Sequence, residues 1–523
     1  MGSAREHLGT PASRRAAARL TAVVALVAVS LWVVRLTGAP DLADNDQLKP
    51  AAYALDVVNH GAWAVQRDFF GAVASKPPFT VWIAAGAAIL LGEVNRVALT
   101  LPGAIGVVGL AGLATYVAAR RLSAWAGVFA GLGVLASVTG EKLIALVRTD
   151  GFFALAVALT AYAAFVAWER KRARWWVAAW LLAATATLTK GPLAVVLVGF
   201  GLVAVLWERR SAAGRGGDEP TPAGVGSGAR RAAIGNVLGA AAFLLIVGGW
   251  VALAYRAEGQ AFVDKMIGDE LVGHATASGK GDPPLANFFK SPAYFVAYYT
   301  PLSVFAFLGV VRTIRRPAGE RATRRLERFM ACMLVLGLLL FSAAPHQRPD
   351  LLAPLWLAMA VLGGREVALL FGELKPQTLR GIAAGVAAAL LTASVAQRHV
   401  LVPAEDETAS EVTLAEAARA WPEHPLADRP IVDTTNFGLF RFYAGVHREG
   451  VEPAAAVERA IERPGTLIAV GARREALEAV LAERGMGWRE VYVIDTPDRR
   501  LRFVLWEVER VDTFNAPSDG GAE

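Results

Sequence analysis

Carboxylates and cations gather in the stretch that follows the first long apolar segment of the chain. Asp44 and Asp46 come first, and Lys76 stands further along, directly before two prolines. Ionisable side chains next to a membrane are costly unless they are solvated or used. A carboxylate beside a hydroxyl can accept its proton, and an ammonium group can stabilise negative charge on a leaving group. The same residues also fit a hydrated loop whose acids only fix its orientation.

Further ionisable residues stand at the edges of later apolar segments. Arg148 and Asp150 open one of them, Lys190 opens another, and Arg348 follows His346 in a short polar stretch. Each has a purely structural interpretation. Lys190 could extend its ammonium group from a helix end towards water, and Arg348 and His346 could be charges that only set topology.

The elements that must position these residues are transmembrane helices. The 523 residues are 55% hydrophobic and 19% charged, and the mean hydropathy of +0.41 is too high for ordinary soluble domains. The stretches that approach or reach the roughly 20 residues required to span a bilayer lie at 18–38, 97–118, 151–168, 233–255, 329–344 and 379–395. We therefore expect a mainly α-helical, polytopic membrane protein.

The arginines predict how the chain is threaded through the membrane. If the N-terminus is cytoplasmic and Phe79 to Gly92 does not cross, one side receives the clusters at 120–121, 170–174, 209–231, 312–328 and 365–380. This is the positive-inside pattern, so the net charge of +7 is expected to set topology rather than bind nucleic acid. The pattern predicts about eleven crossings, or about 11–13 helices, in an inner or plasma membrane.

In this topology the regions on the extracytoplasmic side are residues 39–96, 141–150, 256–295 and 346–350. The ionisable residues described above fall in these regions or at their edges. We therefore expect the chemistry to take place on the extracytoplasmic face.

A change of composition near residue 398 predicts a second domain. Residues 1–397 form the predicted transmembrane domain, with the first outer loop at 39–96 and a Gly/Pro/Ser-rich linker at 211–232. Residues 398–523 are typical of a small extracytoplasmic α/β domain with a disordered tail after residue 513. Its strands are predicted at 430–434, 466–470, 490–494 and 503–508, and a helix at 475–484.

Several kinds of site are excluded by the sequence. The lone cysteine, Cys332, allows neither an intramolecular disulfide nor a Cys-based zinc site. The first apolar segment follows Arg14 and Arg15 but lacks a convincing small-residue cleavage site, so it is expected to be a retained helix. Neither a Gly-rich phosphate loop nor a dinucleotide fingerprint occurs, so the sequence carries no nucleotide-binding signature.

The stretch from residue 46 to residue 82 resembles the first loop of the class C glycosyltransferases, in particular bacterial aminoarabinose transferases and protein O-mannosyltransferases. Those enzymes carry an acid, a Tyr, Gly-x-Trp and acid-Lys-Pro-Pro, followed by a helix that contains a Trp. The corresponding residues here are Asp46, Tyr53, Gly61-Ala62-Trp63, Lys76-Pro77-Pro78 and Trp82. Two further segments extend the resemblance, Val147-Arg148-Thr149-Asp150 and Leu188-Thr189-Lys190-Gly191-Pro192.

This resemblance implies the transfer of a sugar from a polyprenyl phosphate to a hydroxyl. The absence of a nucleotide-binding signature fits such a lipid-linked donor but does not prove one. Asp46 corresponds to the catalytic base, and Asp150 to a second acid that binds sugar hydroxyls or orients the first. Lys76, Lys190 and Arg348 correspond to the cations that bind the donor phosphate. Further residues that could bind substrate are Asp44, Tyr53, Trp63, Arg148, Glu270 and His274.

No cofactor is required by this chemistry as far as the sequence shows. Some relatives have an acid directly before Lys-Pro-Pro that could help to hold a divalent cation. Ser75 occupies that position here. We therefore predict no metal site, and metal dependence stays open.

The resulting expectation is a membrane glycosyltransferase. Its partners would be the polyprenyl-phosphate-sugar donor, the bilayer, and an envelope glycolipid such as lipid A, a glycan or a protein as acceptor. The alternative is a transporter or flippase of a lipid-linked or polyanionic envelope precursor, but the sequence shows neither two similar halves nor ionisable residues near mid-membrane. A sensor or scaffold whose tail binds a ligand would tolerate Asp46→Asn, whereas the enzyme would not.

Overall fold

The computed structural model describes most of the chain. The described residues are 11–37, 42, 45–69, 71–213, 225–273, 285–401, 416–434, 442, 451–470, 474–495 and 503–510. The predicted disordered tail after residue 513 lies outside these ranges.

The chain divides into two compact units. The first comprises residues 1–37, 63–65 and 75–396, and the second comprises residues 38–62, 66–74 and 397–523. The second unit thus combines the C-terminal tail with most of the loop that follows the first helix.

The first unit is built from helices. In chain order, with α2 belonging to the second unit, the longer helices up to residue 396 are α1 (Arg14–Leu36), α2 (Asn45–His60), α3 (Phe79–Leu91), α4 (Arg96–Arg121), α5 (Ala124–Leu135), α6 (Val138–Leu143), α7 (Asp150–Arg170), α8 (Ala173–Lys190), α9 (Leu193–Leu202), α10 (Ala204–Ala213), α11 (Val225–Glu258), α12 (Lys290–Tyr299), α13 (Leu302–Arg315), α14 (Arg321–Ala343), α15 (Trp356–Leu370) and α16 (Pro376–Ala396). Between them lie a π-helical segment, Val263–Gly273, and a 3-10 helix, Pro349–Leu355.

Seven of the helical stretches in the described ranges are long and apolar enough to cross a membrane, and eight if the bent pair α12 and α13 forms one span. The apolar stretches predicted from the sequence all fall on these spans. The prediction of about eleven crossings also needs shorter helices such as α5 and α8, and it stays a prediction. Phe79–Leu91, the segment predicted not to cross, is a short apolar helix of 13 residues.

Small residues allow the central helices to approach closely. A Cβ atom on Gly106 of α4 would lie 2.2 Å from the carbonyl carbon of Gly151 in α7. Such contacts between glycine and backbone are typical of membrane helices, whose association depends on close packing. The crossing fixes the first turn of α7, which carries Asp150, against the first half of α4.

Arginines gather at the opposite end of the same helices. Arg121, in the last turn of α4, binds both carboxylate oxygens of Glu169 near the end of α7, each at 2.6 Å. Arg328 near the start of α14 donates to Glu208 of α10 at 2.6 Å. These pairs neutralise the acids and leave that end of the bundle rich in positive charge.

A buried ion pair connects α14 and α15. Arg365 of α15 lies 3.0 Å from Glu327 of α14, and both side chains are fully buried. Arg312 of α13 donates to Glu366 of α15 at 2.9 Å. An isolated buried charge is strongly unfavourable, so these contacts require α13, α14 and α15 to keep their relative register.

The second unit contains a four-stranded sheet in the order β1 (Ile431–Asp433), β2 (Leu467–Val470), β4 (Phe503–Arg510) and β3 (Met486–Ile494). Strands β1 and β2 are parallel, and the β2–β4 and β3–β4 pairs are antiparallel. Helices α17 (Pro453–Glu462) and α18 (Arg474–Glu483) contribute apolar residues to one core with Ile468, Val504 and Trp506. The small C-terminal α/β fold predicted from the sequence is confirmed, although helix α17 had not been predicted.

Candidate functional site

Two predicted site residues meet at the ends of neighbouring helices. Asp150 is the first residue of α7, as predicted. Lys190 does not open a helix but is the last residue of α8, where Gly191 ends the helix with a φ of 92°. The Lys190 ammonium group donates to the Asp150 carboxylate. Asp150 is 9% exposed, so most of this ion pair is shielded from water and its attraction is stronger than at a surface.

A second carboxylate, Asp350, collects two cations beside this pair. Its Oδ2 accepts a hydrogen bond from Arg148 at 3.1 Å and one from Lys142 at 3.3 Å. Asp350 is 6% exposed, and the Tyr299 hydroxyl fixes its helical turn by donating to the carbonyl oxygen of Pro349 at 2.9 Å. Arg148 precedes Asp150 by only two residues, so a short stretch of chain connects the Asp350 cluster to the Asp150–Lys190 pair.

The polar stretch that carries Arg348 is held in place by its neighbour Gln347. The Gln347 amide donates to the carbonyl oxygens of Ser342 and Ala344, at 2.9 and 3.1 Å. Ser291 of α12 donates to the Gln347 carbonyl oxygen at 3.0 Å. Arg348 itself is exposed and directly precedes the 3-10 helix that carries Asp350. The backbone of Arg348 therefore lies next to the helical turn that carries Asp350.

Lys76 pairs with a residue far along the chain. Its ammonium group lies 2.5 Å from the carboxylate of Glu270, which belongs to the π-helical segment after α11. Pro77 and Pro78 separate Lys76 from α3. Near the start of α3, the Trp82 indole donates to the carbonyl oxygen of Trp63 at 2.7 Å. This hydrogen bond anchors the backbone of Trp63, a residue that is 44% exposed.

Further contacts extend the charged end of the first unit. Arg35, near the end of α1, lies 2.5 Å from Glu141 of α6, and Arg96 of α4 donates to the carbonyl oxygen of Arg35 at 2.8 Å. Glu141 directly precedes Lys142. Carboxylates and cations from α1, α4, α6, α7 and α8 therefore share one end of the bundle, opposite the arginine-rich end.

The structure brings some of the predicted residues together and separates others. Asp150 meets Lys190, Lys76 meets Glu270, and Arg148 meets a carboxylate that had not been predicted. Asp46 lies in the first turn of α2 in the second unit, and its side chain is outside the described residues. Tyr53 of the same helix is buried at 3% exposure. Asp44 and His274 lie outside the described residues.

Sequence reasoning missed Asp350 and Lys142 as members of the site. Both lie in regions that the charge pattern had placed on the predicted outer side, at 346–350 and 141–150. Their contact spans more than two hundred residues of chain, and only the fold reveals it. Among the described residues, no group of three or more His, Cys, Asp and Glu side chains is arranged to hold a metal ion.

Comparison with known proteins agrees with this architecture. Residues 75–215, which include Lys76, Lys142, Asp150 and Lys190, match the sequence model of a family described as dolichyl-phosphate-mannose-protein mannosyltransferase. No curated protein matches the chain.

Several solved structures share the fold. ArnT from Cupriavidus metallidurans bound to undecaprenyl phosphate is 18% identical, with a TM-score of 0.65 over 96% of this chain and 99% of that one. Its apo state gives 17% identity and a TM-score of 0.66 over 93% and 97%. The apo oligosaccharyltransferase of Archaeoglobus fulgidus gives 13% identity and a TM-score of 0.51 over 90% of this chain and 72% of that one. The resemblance inferred from the sequence is thereby confirmed, and this multi-pass membrane protein has the fold of the class C glycosyltransferases.

Proposed function

We propose that this protein transfers a sugar from a polyprenyl-phosphate donor to an acceptor hydroxyl on the extracytoplasmic side of the membrane. The observation that carries this proposal is the joint placement of Asp150 and Asp350 with Lys190, Arg148 and Lys142 at one end of the helical bundle. The membrane glycosyltransferase fold and the family match over residues 75–215 support it.

The cations suit the leaving group of this reaction. When the bond between the anomeric carbon and the phosphate oxygen breaks, negative charge develops on the phosphate. Fixed positive groups aimed at that charge lower the barrier without having to reorganise. Lys190 and Arg348, with Lys76, are proposed to bind the phosphate, and Arg148 and Lys142 extend the same charged surface.

The acceptor needs a base, and we assign that role to Asp46. Its carboxylate takes the hydroxyl proton while the acceptor oxygen attacks the anomeric carbon. The attack inverts the anomeric configuration and releases polyprenyl phosphate. Asp150, held by Lys190, is proposed to bind sugar hydroxyls or to orient Asp46, and Glu270 to hold Lys76 until the donor enters.

The proposed orientation follows from the charge distribution. The end of the bundle rich in Arg121, Arg324 and Arg328 faces the cytoplasm under the positive-inside rule. The end with Asp150 and Lys190 then faces outwards, with the headgroup of the donor lipid. An envelope glycolipid, a glycan and a protein hydroxyl are all acceptors that this placement allows, and no cofactor is required by the mechanism.

The proposal is tested with the intact protein in lipid nanodiscs. The reaction contains radiolabelled undecaprenyl-phosphate-linked sugars and envelope extract, and release of free undecaprenyl phosphate is measured. We expect wild-type protein to release it, and Asp46→Asn and Lys76→Ala to lose at least about 100-fold in rate. Lys265→Ala, which removes a cation paired with Asp269 in the segment that carries Glu270, is the matched control. Equal release by the wild type and the two variants would mean that the protein is not a transferase of this kind.

A further inference from the structure

Exposed cations gather where the turn between α7 and α8 meets the start of α11. Lys171 and Arg172 form this turn, directly after the last residue of α7. A Cβ atom on Gly228 of α11 would lie 3.0 Å from the Lys171 side chain. One on Gly235 would lie 2.6 Å from the carbonyl oxygen of Ala173, the first residue of α8. We call the exposed cations of these elements the α8 cation cluster: Arg170, Lys171, Arg172, Arg174, Arg230 and Arg231.

The α8 cation cluster is not neutralised by an acid within the described part of the chain. None of its side chains forms an ion pair or a hydrogen bond there. Other arginines at the same end of the bundle do have such partners. Arg121 is paired with Glu169, and Arg324 and Arg328 are paired with Glu208. The α8 cation cluster therefore presents uncompensated positive charge to its surroundings.

Two tryptophans place this charge at the depth of the lipid headgroups. Trp175 and Trp176 are half-buried, and the Arg174 guanidinium lies 6.0 Å from the centre of the Trp175 ring. Of the candidate membrane spans, α7 ends and Gly228–Glu258 begins at the α8 cation cluster. Tryptophan is enriched where a membrane meets water, because its ring is apolar and its N–H group is polar. The cluster is therefore expected to lie beside headgroups rather than in open solvent.

The first turn of α8 adds partial positive charge at the same place. Arg172 is the N-cap residue, and its side chain makes no capping hydrogen bond. The free N–H groups and the dipole of a helix attract anions at its N-terminus. An anionic oxygen here can accept from the backbone of α8 and from the Arg172 or Arg174 side chain.

These features together fit an anionic phospholipid. Clusters of about 4–8 Lys and Arg residues directly beside a membrane span attract anionic headgroups. A nucleic acid has the charge but no apolar chains to lie along α8 and α11. The donor lipid is assigned to the other end of α8, where Lys190 lies about 27 Å away, because the helix has 18 residues that each rise 1.5 Å.

We propose that the α8 cation cluster binds the headgroups of anionic phospholipids in the leaflet opposite the proposed donor site. Lys171, Arg172 and Arg231 donate to the phosphate oxygens, and the acyl chains lie along the apolar faces of α8 and α11. This lipid site does not depend on sugar transfer, since no donor or acceptor takes part in it.

The test titrates purified full-length protein in detergent with dioleoyl phosphatidylglycerol or dioleoyl phosphatidylcholine, and native mass spectrometry counts the bound lipids. We expect wild-type protein to bind phosphatidylglycerol at least about tenfold more tightly than phosphatidylcholine. Lys171→Asn/Arg172→Gln/Arg231→Gln should lose at least about tenfold in affinity for phosphatidylglycerol and keep its affinity for phosphatidylcholine. Asparagine is chosen because residue 171 has a φ of 51°, which asparagine tolerates.

The matched control is Arg315→Gln/Arg316→Gln/Arg321→Gln. It removes three exposed cations from the same end of the bundle, in a segment that contains an acid, Glu320, and no aromatic residue. This control should bind phosphatidylglycerol like wild type. If the cluster variant does not fold, as judged by its melting temperature, Lys171→Asn/Arg172→Gln replaces it and should bind at least about threefold more weakly than wild type.

The lipid site would be overturned if wild-type protein bound the two lipids equally, or if the folded cluster variants bound phosphatidylglycerol like wild type. An equal loss in the control would show diffuse attraction between charges rather than a site. Displacement of phosphatidylglycerol by the same concentration of glycerol phosphate would mean that a free phosphate ester is the ligand. Displacement by a single-stranded RNA oligonucleotide would identify a nucleic-acid surface instead.

Discussion

At the scale of single residues, Lys190 and Asp150 depend on each other. Lys190 supplies the charge that lets a carboxylate remain at the edge of the helical core, and Asp150 fixes the ammonium group in one place. An unpaired charge in such a position destabilises the fold. Loss of activity in a single variant would therefore not separate a catalytic role from a structural one.

A double variant makes that separation. Lys190→Met should lower the rate of transfer by about 100-fold and also lower the thermal stability of the purified protein, because Asp150 loses its partner. Asp150→Asn/Lys190→Met should recover most of the stability and none of the transfer. Transfer that recovers together with stability would assign the pair a structural role alone.

Asp350 is predicted to act through the cations that it holds. In Asp350→Asn, Arg148 and Lys142 lose their charged anchor, so undecaprenyl phosphate should bind about tenfold more weakly, a change of about 1.4 kcal/mol. Binding is measured by thermophoresis on the protein in nanodiscs. Asp264→Asn, in an exposed part of the π-helical segment, is the matched control. Unchanged affinity in folded Asp350→Asn would show that these cations do not contact the phosphate.

The identities of the charged residues could be predicted from the sequence better than their partners. Lys76, Asp150 and Lys190 were assigned from the family resemblance, and the arginines that flank the apolar segments independently placed them at one edge of the membrane. The pairing of Lys76 with Glu270 joins residues 194 apart. Such a contact depends on how whole helices pack, and neither hydrophobic periodicity nor local spacing contains that information.

At the scale of elements, the crossing of α4 and α7 fixes the position of the first turn of α7, which carries Asp150. Gly106→Ala places a Cβ atom inside the backbone of Gly151, so the helices must move apart. We expect a loss of about 1–3 kcal/mol in stability, a lower melting temperature and reduced transfer. Gly248→Ala, where a Cβ atom meets open space in α11, should leave both unchanged. If the two variants melt alike, the crossing is looser than the structure indicates.

The sheet of the second unit contains a pH-sensitive contact. Glu507 of β4 accepts hydrogen bonds from Arg489 and from Arg429, each at 2.6 Å. These contacts, with that of Arg489 the strongest, hold the pKa of Glu507 below its ordinary value of 4.5. A lowered carboxyl pKa stabilises the folded state at pH values above the unfolded pKa, and this stabilisation is lost as the pH falls through the folded pKa.

Protonation of Glu507 at low pH should therefore weaken its contacts with Arg489 and Arg429 and loosen β4. Hydrogen exchange of peptides from Phe503–Arg510, measured on the intact protein, should accelerate beyond the intrinsic rate as the pH falls below 4.5. Glu507→Gln should exchange faster at neutral pH and lose this extra dependence on acid. The same pH dependence in the variant would place the titrating group elsewhere.

At the scale of the whole molecule, the two ends of the helical unit differ in the kind of charge they carry. Arg121, Arg324 and Arg328 lie around Glu169 and Glu208 at one end, whereas both lysines and arginines pair with carboxylates at the other. The membrane potential and the lipid headgroups distinguish such ends during insertion, so the asymmetry predicts one orientation for the chain.

That orientation can be measured through the lone cysteine. With Cys332→Ala as background, Glu93→Cys and Asp495→Cys place thiols in the predicted outer regions, and Arg172→Cys places one in a predicted cytoplasmic loop; all three positions are exposed. A membrane-impermeant maleimide added to whole cells should label the first two and reach Arg172→Cys only after permeabilisation. Labelling of Glu93→Cys only after permeabilisation would mean that α3 crosses the membrane. Because a crossing there inverts every later loop, the arginine-rich end would then face outwards. Asp150 and Lys190 would lie on the cytoplasmic side while Lys76 stayed outside, so the proposed donor site could not form.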